Sequence, residues 1–405
     1  MPPALIHLHA RALAELRDDI LPFWERHVLT PDGWMVGEVG DDLAIRDDTP
    51  RHSVIVARIL WTYAAAARVE TDPGRRERWL AAGRQAYGIL TGPCWDDEHG
   101  GVFWSVGPDR VPVADRKQVY AQAFAIYGLA EWHAATGDAE AAERALGLFR
   151  LLEDHSRDRG LGGYREAHDR AWGDLDDVRL SPRDLNAPKT MNTNLHVLEA
   201  YTSLTRVSGD PEVTAALADL LAVSLDHIVV REPWAHCALF FDESWASLTP
   251  NISWGHDIEA SWLLWEAAQV VGDAALTART RKATLALADA VLAHGVDPDG
   301  SVLYEGTPTE IIEPEKHWWP QAEGVVGWLN AFQLTGDARY EEAALAAWDF
   351  IEAHVIDRKH GEWFAVLSRD GAPLPDHEGS RKMGPWKCPY HNARACLEVA
   401  RRVPD

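Results

Sequence analysis

Three histidines stand in polar motifs that lie far apart in the sequence. The motifs are MNTNLHVLEAY with His196, WGHDIEASWLL with His256 and GPWKCPYHNARACLE with His391. Histidine is the side chain whose ordinary pKa suits proton transfer near neutral pH. Each motif reads as the start of a helix, so we expect the three imidazoles to meet in one pocket built from several helix ends. The alternative is that each histidine caps its helix or is satisfied in the core.

The expected position of each histidine follows from helix-capping signals. Polar residues that accept a hydrogen bond favour the N-cap, and proline favours the first helical position. Such signals stand at Asn192 or Thr193, at Ser253 and at Pro389. They predict that all three histidines lie in a first helical turn, where the positive helix end disfavours imidazolium and keeps a base neutral.

Two glutamates follow these histidines at helical spacing. Glu259 lies three residues after His256, and Glu199 lies three residues after His196, which places each pair on one helix face. Glu259 could orient the imidazole or hold a substrate hydroxyl, or it could form a salt bridge within its helix. Glu199 could support His196 in a similar way or be purely structural.

Three other polar residues are candidates for substrate contact. Arg58 stands in the apolar segment VIVARILWTY and therefore needs a partner or a ligand. A guanidinium in a pocket could stabilise a developing oxyanion, and a structural ion pair is the alternative. Tyr120, in KQVYAQAFAIYG, is a second pocket candidate. Asn192 could donate to a sugar oxygen or cap its helix.

Tryptophan is unusually frequent, with 19 in 405 residues. Most should pack in the core, but Trp318, Trp319 and Trp386 adjoin the polar motifs. Sugars have apolar C–H faces that stack on flat rings, and we expect at least one of these tryptophans to contact a sugar. Glu323 lies four residues after Trp319 and shares its helix face, so it would serve the pocket or pair with an inner arginine.

Composition and motif content exclude several other classes of protein. The net charge of −24 disfavours nucleic acid, and no basic run or long apolar stretch suggests a membrane. The N-terminus lacks the pattern of a secretory signal, and the four cysteines form neither a CxxC pair nor a zinc spacing. We find no HExxH, P-loop, dinucleotide fingerprint or serine nucleophile elbow. Metal ligands drawn from separate helices are an alternative, but we predict that the protein binds no metal and no cofactor. We also predict a soluble, cytoplasmic protein that is a monomer or a homodimer.

A repeated layout runs through the chain. Segments rich in aromatic and β-branched residues read as hairpin tips, starting at Asp32, Gly100, Gly160, Ala238, Asp299 and Gly361. Between them, helices come in pairs joined by the turns ATGDAE, VSGDPE, VVGDAA and LTGDAR, where glycine ends one helix and aspartate caps the next. This predicts an all-α fold with short β-hairpin tips, an (α/α)6 barrel forming one catalytic domain over residues 1–405. An open helical solenoid would give a similar pattern.

These motifs resemble those of the N-acylglucosamine 2-epimerase superfamily, and within it the chain is most similar to the cellobiose 2-epimerases. The resemblance runs from ARILWTY through MNTNLHVLEAY, GHDIEASWLL and WWPQAEG to GPWKCPYHN. It implies a single (α/α)6 barrel and an isomerase that acts at C2 of a reducing-end aldose. Such an enzyme opens the sugar ring, removes the C2 proton through a cis-enediolate and returns a proton on the opposite face, without a cofactor. It would interconvert reducing-end glucose and mannose.

The resemblance also assigns roles to the candidate residues. His256 and His391 match the acid/base pair, His196 the third pocket histidine, and Arg58 the arginine near the C1 and C2 oxygens. The residues that would support or contact the sugar are Tyr120, Asn192, Glu259, Trp319, Glu323 and, for the second sugar of a disaccharide, Trp386. Of these, Glu323 is our own candidate from its spacing.

Two positions depart from the pattern of the resembled proteins. Asn194 stands where histidine is frequent, and His317 precedes the two tryptophans where a small or apolar residue is usual. We expect both to alter the rim of the pocket, so a mannose 2-epimerase or a mannose–fructose isomerase acting on free hexoses would also fit the sequence. A glycoside hydrolase or lyase on the same barrel would need paired carboxylates, and a non-catalytic sugar-binding scaffold would turn over no sugar.

Overall fold

The computed structural model describes residues 2–403, and helices dominate this range. Its α-helices are α1 Pro3–Glu15, α2 Leu21–His27, α3 Ser53–Val69, α4 Pro73–Thr91, α5 Val119–Thr136, α6 Ala139–His155, α7 Met191–Ser208, α8 Pro211–Val223, α9 Trp254–Val271, α10 Ala274–His294, α11 Trp318–Thr335, α12 Ala338–Phe350 and α13 Tyr390–Arg402. Single π-helical turns join α1 to α2 and extend α8 and α12, at Leu16–Ile20, Ser224–Ile228 and Ile351–Val355.

The short turns between paired helices have the chemistry that the sequence predicts. Gly137 ends α5 with φ of 76°, a left-handed conformation that a residue with a Cβ avoids. Asp138 then caps α6 by accepting a hydrogen bond from the N–H of Glu140. The same device recurs at Gly209–Asp210, Gly272–Asp273 and Gly336–Asp337. These predictions are confirmed.

The odd-numbered helices from α3 to α13 form the inside of a helical barrel. Each packs against the next, and α13 packs against α3, so the ring of contacts closes. Helices α4, α6, α8, α10 and α12 lie outside against these inner helices, and α1 packs against α13 and α12. Burial follows this arrangement, since α5 is buried almost all round whereas α6 buries one face. No helix in residues 2–403 combines the length and apolar character needed to cross a membrane.

Short strands lie in the chain segments that lead into the inner helices. They are β1 Glu38–Val39, β2 Ile45–Arg46, β3 Arg51–His52, β4 Ser105–Val106, β5 Pro112–Ala114, β6 Lys117–Gln118, β7 Ala167–His168, β8 Lys189–Thr190, β9 Val229–Val230, β10 His236–Cys237, β11 Phe240–Phe241, β12 Ile252–Ser253, β13 Glu305–Gly306, β14 Ile311–Glu313, β15 Lys316–His317 and β16 Val366–Leu367. They pair antiparallel as β1–β2, β3–β4–β5, β6–β7, β8–β11, β9–β10, β12–β13–β14 and β15–β16. Every predicted hairpin tip contains or adjoins one of these strands.

A repeated side-chain clamp ties the inner helices to the hairpins. Asn194, the fourth residue of α7, accepts from the N–H of Tyr164 at 2.8 Å and donates to its carbonyl at 3.3 Å. Gln122 of α5 and Gln321 of α11 clamp Val102 and Val302 in the same way. Asn194 is fully buried in this role, so the expectation that it shapes the pocket rim is wrong. The hairpin backbone needs a donor and an acceptor there, and an amide supplies both.

Two inner helices begin at other residues than the capping signals suggested, α7 earlier and α13 one residue later, whereas α9 has Ser253 at its N-cap position as expected. Thr190 is the N-cap of α7 and accepts from the N–H of Thr193, so neither Asn192 nor Thr193 caps this helix. His196 therefore lies in the second turn. Pro389 occupies the N-cap position of α13 rather than its first helical position. The physical reason for α7 is its strand, because Thr190 is still paired with β11 and the chain turns directly from strand to helix.

Candidate active site

The candidate catalytic residues lie on four inner helices. His196 is on α7, His256 on α9, His391 on α13 and Arg58 on α3. The indole of Trp319 on α11 touches two of the histidines, with ring centroids 4.6 Å from His256 and 5.5 Å from His391. The structure thus brings residues from the separate motifs together beside one tryptophan.

A carboxylate holds His391. Its Nδ1 lies 2.7 Å from Oε1 of Glu323, and an ionised carboxylate only accepts hydrogen bonds. The proton of the neutral ring is therefore on Nδ1, and Nε2 carries a lone pair. Burial, together with the positive charges of Arg58 and Arg394, holds the pKa of His391 well below its usual value. His391 is accordingly a neutral imidazole with an unprotonated Nε2 in the ligand-free protein.

His196 has the same kind of partner, whereas His256 does not. Nδ1 of His196 lies 2.8 Å from Oε2 of Glu199. Nδ1 of His256 lies 2.7 Å from the hydroxyl of Ser253, and the predicted partner Glu259 is engaged elsewhere. Burial, and to a lesser extent the charge of His196, lowers the pKa of His256 to about 3.

Arg394 organises the carboxylates, and our sequence reasoning missed it. Its guanidinium donates to Glu199, Glu259 and Glu323, which come from three different helices. The residue is 1% exposed, so the cluster depends on charge neutralisation inside the barrel. A single arginine within the helical segment YHNARACLE was the available signal, of the same kind that selected Arg58.

The pKa values of the three carboxylates near the Arg394 guanidinium differ. Burial would raise the pKa of Glu199, but Arg394 and His196 bring it down to about 2. Burial and the neighbouring charge of Glu323 instead raise the pKa of Glu259 to about 7. One oxygen of Glu259, Oε2, is buried with no hydrogen-bond partner among the described residues. Burial also raises the pKa of Glu323, against the effect of Arg394.

Arg58 pairs with a hydroxyl. Its Nη2 donates to the Tyr120 hydroxyl at 2.7 Å, and its guanidinium lies over Phe124 and Tyr390, 4.1 and 4.7 Å from the ring centroids. Nε is buried without a partner in residues 2–403. A guanidinium held by rings and a hydroxyl keeps donors for an oxyanion.

The mouth of the site is aromatic. Trp386 is 37% exposed and lies 6.1 Å from Trp104 and 6.2 Å from Tyr120 between ring centroids. Asn192 is half-buried, and its Oδ1 has no hydrogen-bond partner in the described part of the chain. Trp318 is buried beside Lys387 and packs in the core. The flat exposed ring of Trp386 suits a sugar at this edge, and the unpaired amide oxygen of Asn192 is free to accept a hydrogen bond from a hydroxyl.

His317 reaches the site through one intermediate ring. It stacks on Tyr304 with centroids 3.8 Å apart, and Tyr304 meets the edge of Trp319 at 6.0 Å. Burial lowers the pKa of His317 to about 3. His317, the second departure from the pattern of the resembled proteins, therefore supports Trp319 indirectly through Tyr304.

One group of side chains has the spacing of metal ligands. Glu259, Glu323 and His391 offer ligand atoms within 4.8 Å of one another. Both carboxylates already accept hydrogen bonds from Arg394, so a cation is built into the site. That the site needs no metal stays a prediction.

Comparison with known proteins identifies the family. The family model described as N-acylglucosamine 2-epimerase (GlcNAc 2-epimerase) matches residues 35–394. A cellobiose 2-epimerase of Bacteroides fragilis is 42% identical over 95% of this chain and 96% of its own, and one of Ruminococcus albus is 36% identical over 96% and 98%. The solved cellobiose 2-epimerase of Bacillus thermoamylovorans superimposes with a TM-score of 0.91 at 35% identity, covering 98% of this chain and all of that one. The chain therefore belongs to the N-acylglucosamine 2-epimerase family.

Proposed function

We propose that the protein inverts C2 of a reducing-end glucose or mannose unit, with β-1,4-linked disaccharides such as cellobiose as substrates. The chain is a sugar 2-epimerase of the cellobiose 2-epimerase type, as its nearly full-length relatives indicate. The observation that carries the proposal is the pair His256 and His391. Both touch Trp319, both are held through Nδ1, and neither Nε2 has a hydrogen-bond partner among the described residues.

Inversion at C2 needs two proton-transfer groups. Removal of the C2 proton leaves a planar enediolate, and a proton returned to the opposite face gives the epimer. A single base would return the proton to the same face or to C1, which gives retention or a ketose. The two histidines come from α9 and α13, which both pack against α11, and both contact Trp319 of that helix, so they can supply one group for each face.

The proton balance assigns one neutral and one protonated imidazole to each turnover. In one direction His256 first takes a proton from solvent as the sugar binds; His391 then takes the C2 proton on Nε2, His256 gives its proton to C2 from Nε2, and His391 afterwards releases its proton to solvent. The roles reverse in the other direction. The negative enediolate favours the imidazolium form of both rings, which burial alone disfavours. Arg58 and the Tyr120 hydroxyl stabilise the charge on the C1 and C2 oxygens.

The remaining residues position the sugar. Trp319 packs against the reducing-end unit and Asn192 hydrogen-bonds a sugar oxygen. Trp386, the exposed ring, stacks on the second sugar. Glu323 holds His391, Glu199 holds His196, and Glu259 completes the Arg394 cluster.

We further infer that the architecture is an (α/α)6 barrel acting as one domain over residues 1–405. The closed inner ring from α3 to α13 supports this. A monomer or homodimer, a cytoplasmic location and activity without metal complete the proposal.

Product analysis tests the proposed function. The protein is incubated with cellobiose and separately with mannose, and the sugars are separated and identified. We expect cellobiose to give its 2-epimer, glucosyl-mannose, faster than mannose gives glucose. A ketose as the main product would make the protein an isomerase, and released monosaccharide from cellobiose would make it a hydrolase; either result overturns the proposal.

A further inference from the structure

Ser253 occupies the N-cap position of α9 but does not cap the helix. Its hydroxyl makes no hydrogen bond to a backbone N–H of the first turn. Instead it lies 2.7 Å from Nδ1 of His256. The equivalent residue of α7, Thr190, does cap its helix by accepting from the N–H of Thr193. The hydroxyl of Ser253 therefore gives up a bond that stabilises the helix and contacts the catalytic ring.

The two catalytic histidines consequently have unlike partners. His391 faces the carboxylate of Glu323, which accepts only and carries a negative charge. His256 faces a neutral hydroxyl, which accepts or donates. A carboxylate stabilises imidazolium by a charge-assisted bond, whereas a hydroxyl gives a bond of ordinary strength. Beyond burial, which disfavours the charged form of both rings, His196 opposes protonation of His256, whereas Arg58 and Arg394 oppose protonation of His391.

We propose that Ser253 is a positioning residue that holds His256 through Nδ1 and directs Nε2 to the sugar. The inference rests on the proposed epimerase function. Its consequence is that the two catalytic histidines are oriented by unlike groups, a neutral hydroxyl for His256 and a carboxylate for His391.

Substitutions at Ser253 test this role. Ser253→Ala removes the partner of Nδ1, and we expect kcat to fall about ten- to a hundredfold, part of the 10²–10⁴ that a positioned acid or base contributes. The KM of the variant should stay within about threefold of the parent value, because Ser253 does not touch the sugar. Ser253→Thr keeps the hydroxyl and should restore most of kcat. Ser253→Gly, which N-cap positions tolerate, replaces the alanine variant if that protein is unstable.

The pH profile of kcat/KM separates positioning from a merely structural effect. Loss of the hydroxyl removes an acceptor for Nδ1–H of the imidazolium, so the limb that reports His256 should move to lower pH in Ser253→Ala. Ser253→Asp supplies a carboxylate and should move it to higher pH. Thr190→Ala is the matched control, because it removes a cap without touching a histidine and should leave the profile in place.

Each outcome has one meaning. Kinetics of Ser253→Ala within threefold of the parent, with an unmoved profile, would overturn the role of Ser253 alone. A loss that threonine does not restore and that leaves the pH profile unmoved would also overturn it, because it marks an effect on the fold. If the parent protein exchanges no C2 proton of cellobiose or mannose with deuterated solvent, the proposed function itself fails, which the parent control reveals before any variant is compared.

Discussion

Glu323→Gln separates the charge of Glu323 from its shape. Oε1 accepts from Nδ1 of His391 at 2.7 Å and from Nη2 of Arg394 at 2.6 Å, and Oε2 accepts from Nε1 of Trp262 at 3.0 Å. An amide has one accepting oxygen. The amide oxygen should take the position of Oε1, which faces the two donors His391 and Arg394. The NH2 group then faces the indole N–H of Trp262. The variant therefore keeps the tautomer of His391 but loses its charged partner.

Two magnitudes follow from this geometry. A buried donor pair left unsatisfied costs about 1–3 kcal/mol of the free energy of unfolding. The lost charge-assisted bond removes about 1.5–3 kcal/mol of stabilisation from the His391 imidazolium, which corresponds to about a 10- to 150-fold fall in kcat. In Glu323→Gln, the loss of stability should come from the contact with Trp262, and the loss of rate should come from His391.

A double-mutant cycle with Trp262→Phe tests the assignment. Phenylalanine has no N–H, so this change should cost about 1–3 kcal/mol less in the Glu323→Gln protein than in the parent, while kcat stays low. Urea unfolding of the four proteins gives the coupling free energy, and C2 proton exchange gives the rate. Additive stabilities, or a Glu323→Gln enzyme as fast as the parent, would refute the geometry described for Glu323.

Three other substitutions have defined outcomes. Trp386→Ala should raise KM for cellobiose more than KM for mannose, because the exposed ring is assigned to the second sugar; equal effects on the two substrates would contradict that assignment. Arg394→Met leaves three buried carboxylates without their cation and should cost about 3–5 kcal/mol of unfolding free energy, measured by urea titration, whereas a cost under 1 kcal/mol would show that the cluster is not coupled. Burial raises the pKa of Asp257 from 3.8 to about 8. The protonated carboxyl therefore contributes its full stabilisation to the folded protein below pH 3.8, and this contribution is lost as pH rises through about 8. Asp257→Asn cannot ionise, so its stability relative to the parent should improve from pH 6 to pH 9.5; a constant difference would contradict the burial argument.

The helix pairing could be predicted from sequence because its signals are local. Glycine in a left-handed conformation followed by a capping aspartate, as at Gly137–Asp138, is encoded in six consecutive residues. The start of α7 could not be predicted in the same way. It depends on the pairing of Lys189–Thr190 with Phe240–Phe241, about fifty residues further on. Asn194 was misread for the same reason, because its partner Tyr164 comes from the preceding hairpin.

The site shows the limit of helical spacing as a guide to partners. His196 with Glu199 and His256 with Glu259 have the same separation of three residues, yet only the first pair bonds. Glu259 is bound by Arg394, which lies 135 residues away in sequence. Which carboxylate faces a histidine is thus decided by the helix opposite, and that information appears only once the barrel has closed.

The measurement that tests the central claim most directly is proton NMR of cellobiose in heavy water, with a chelator present, for the parent and for the His256→Ala and His391→Ala variants. We predict that the parent places deuterium at C2 while the 2-epimer appears, and that each variant loses epimer formation. Retention of the C2 proton by the parent, or epimer formation that survives both substitutions, would contradict proton transfer by this pair of histidines.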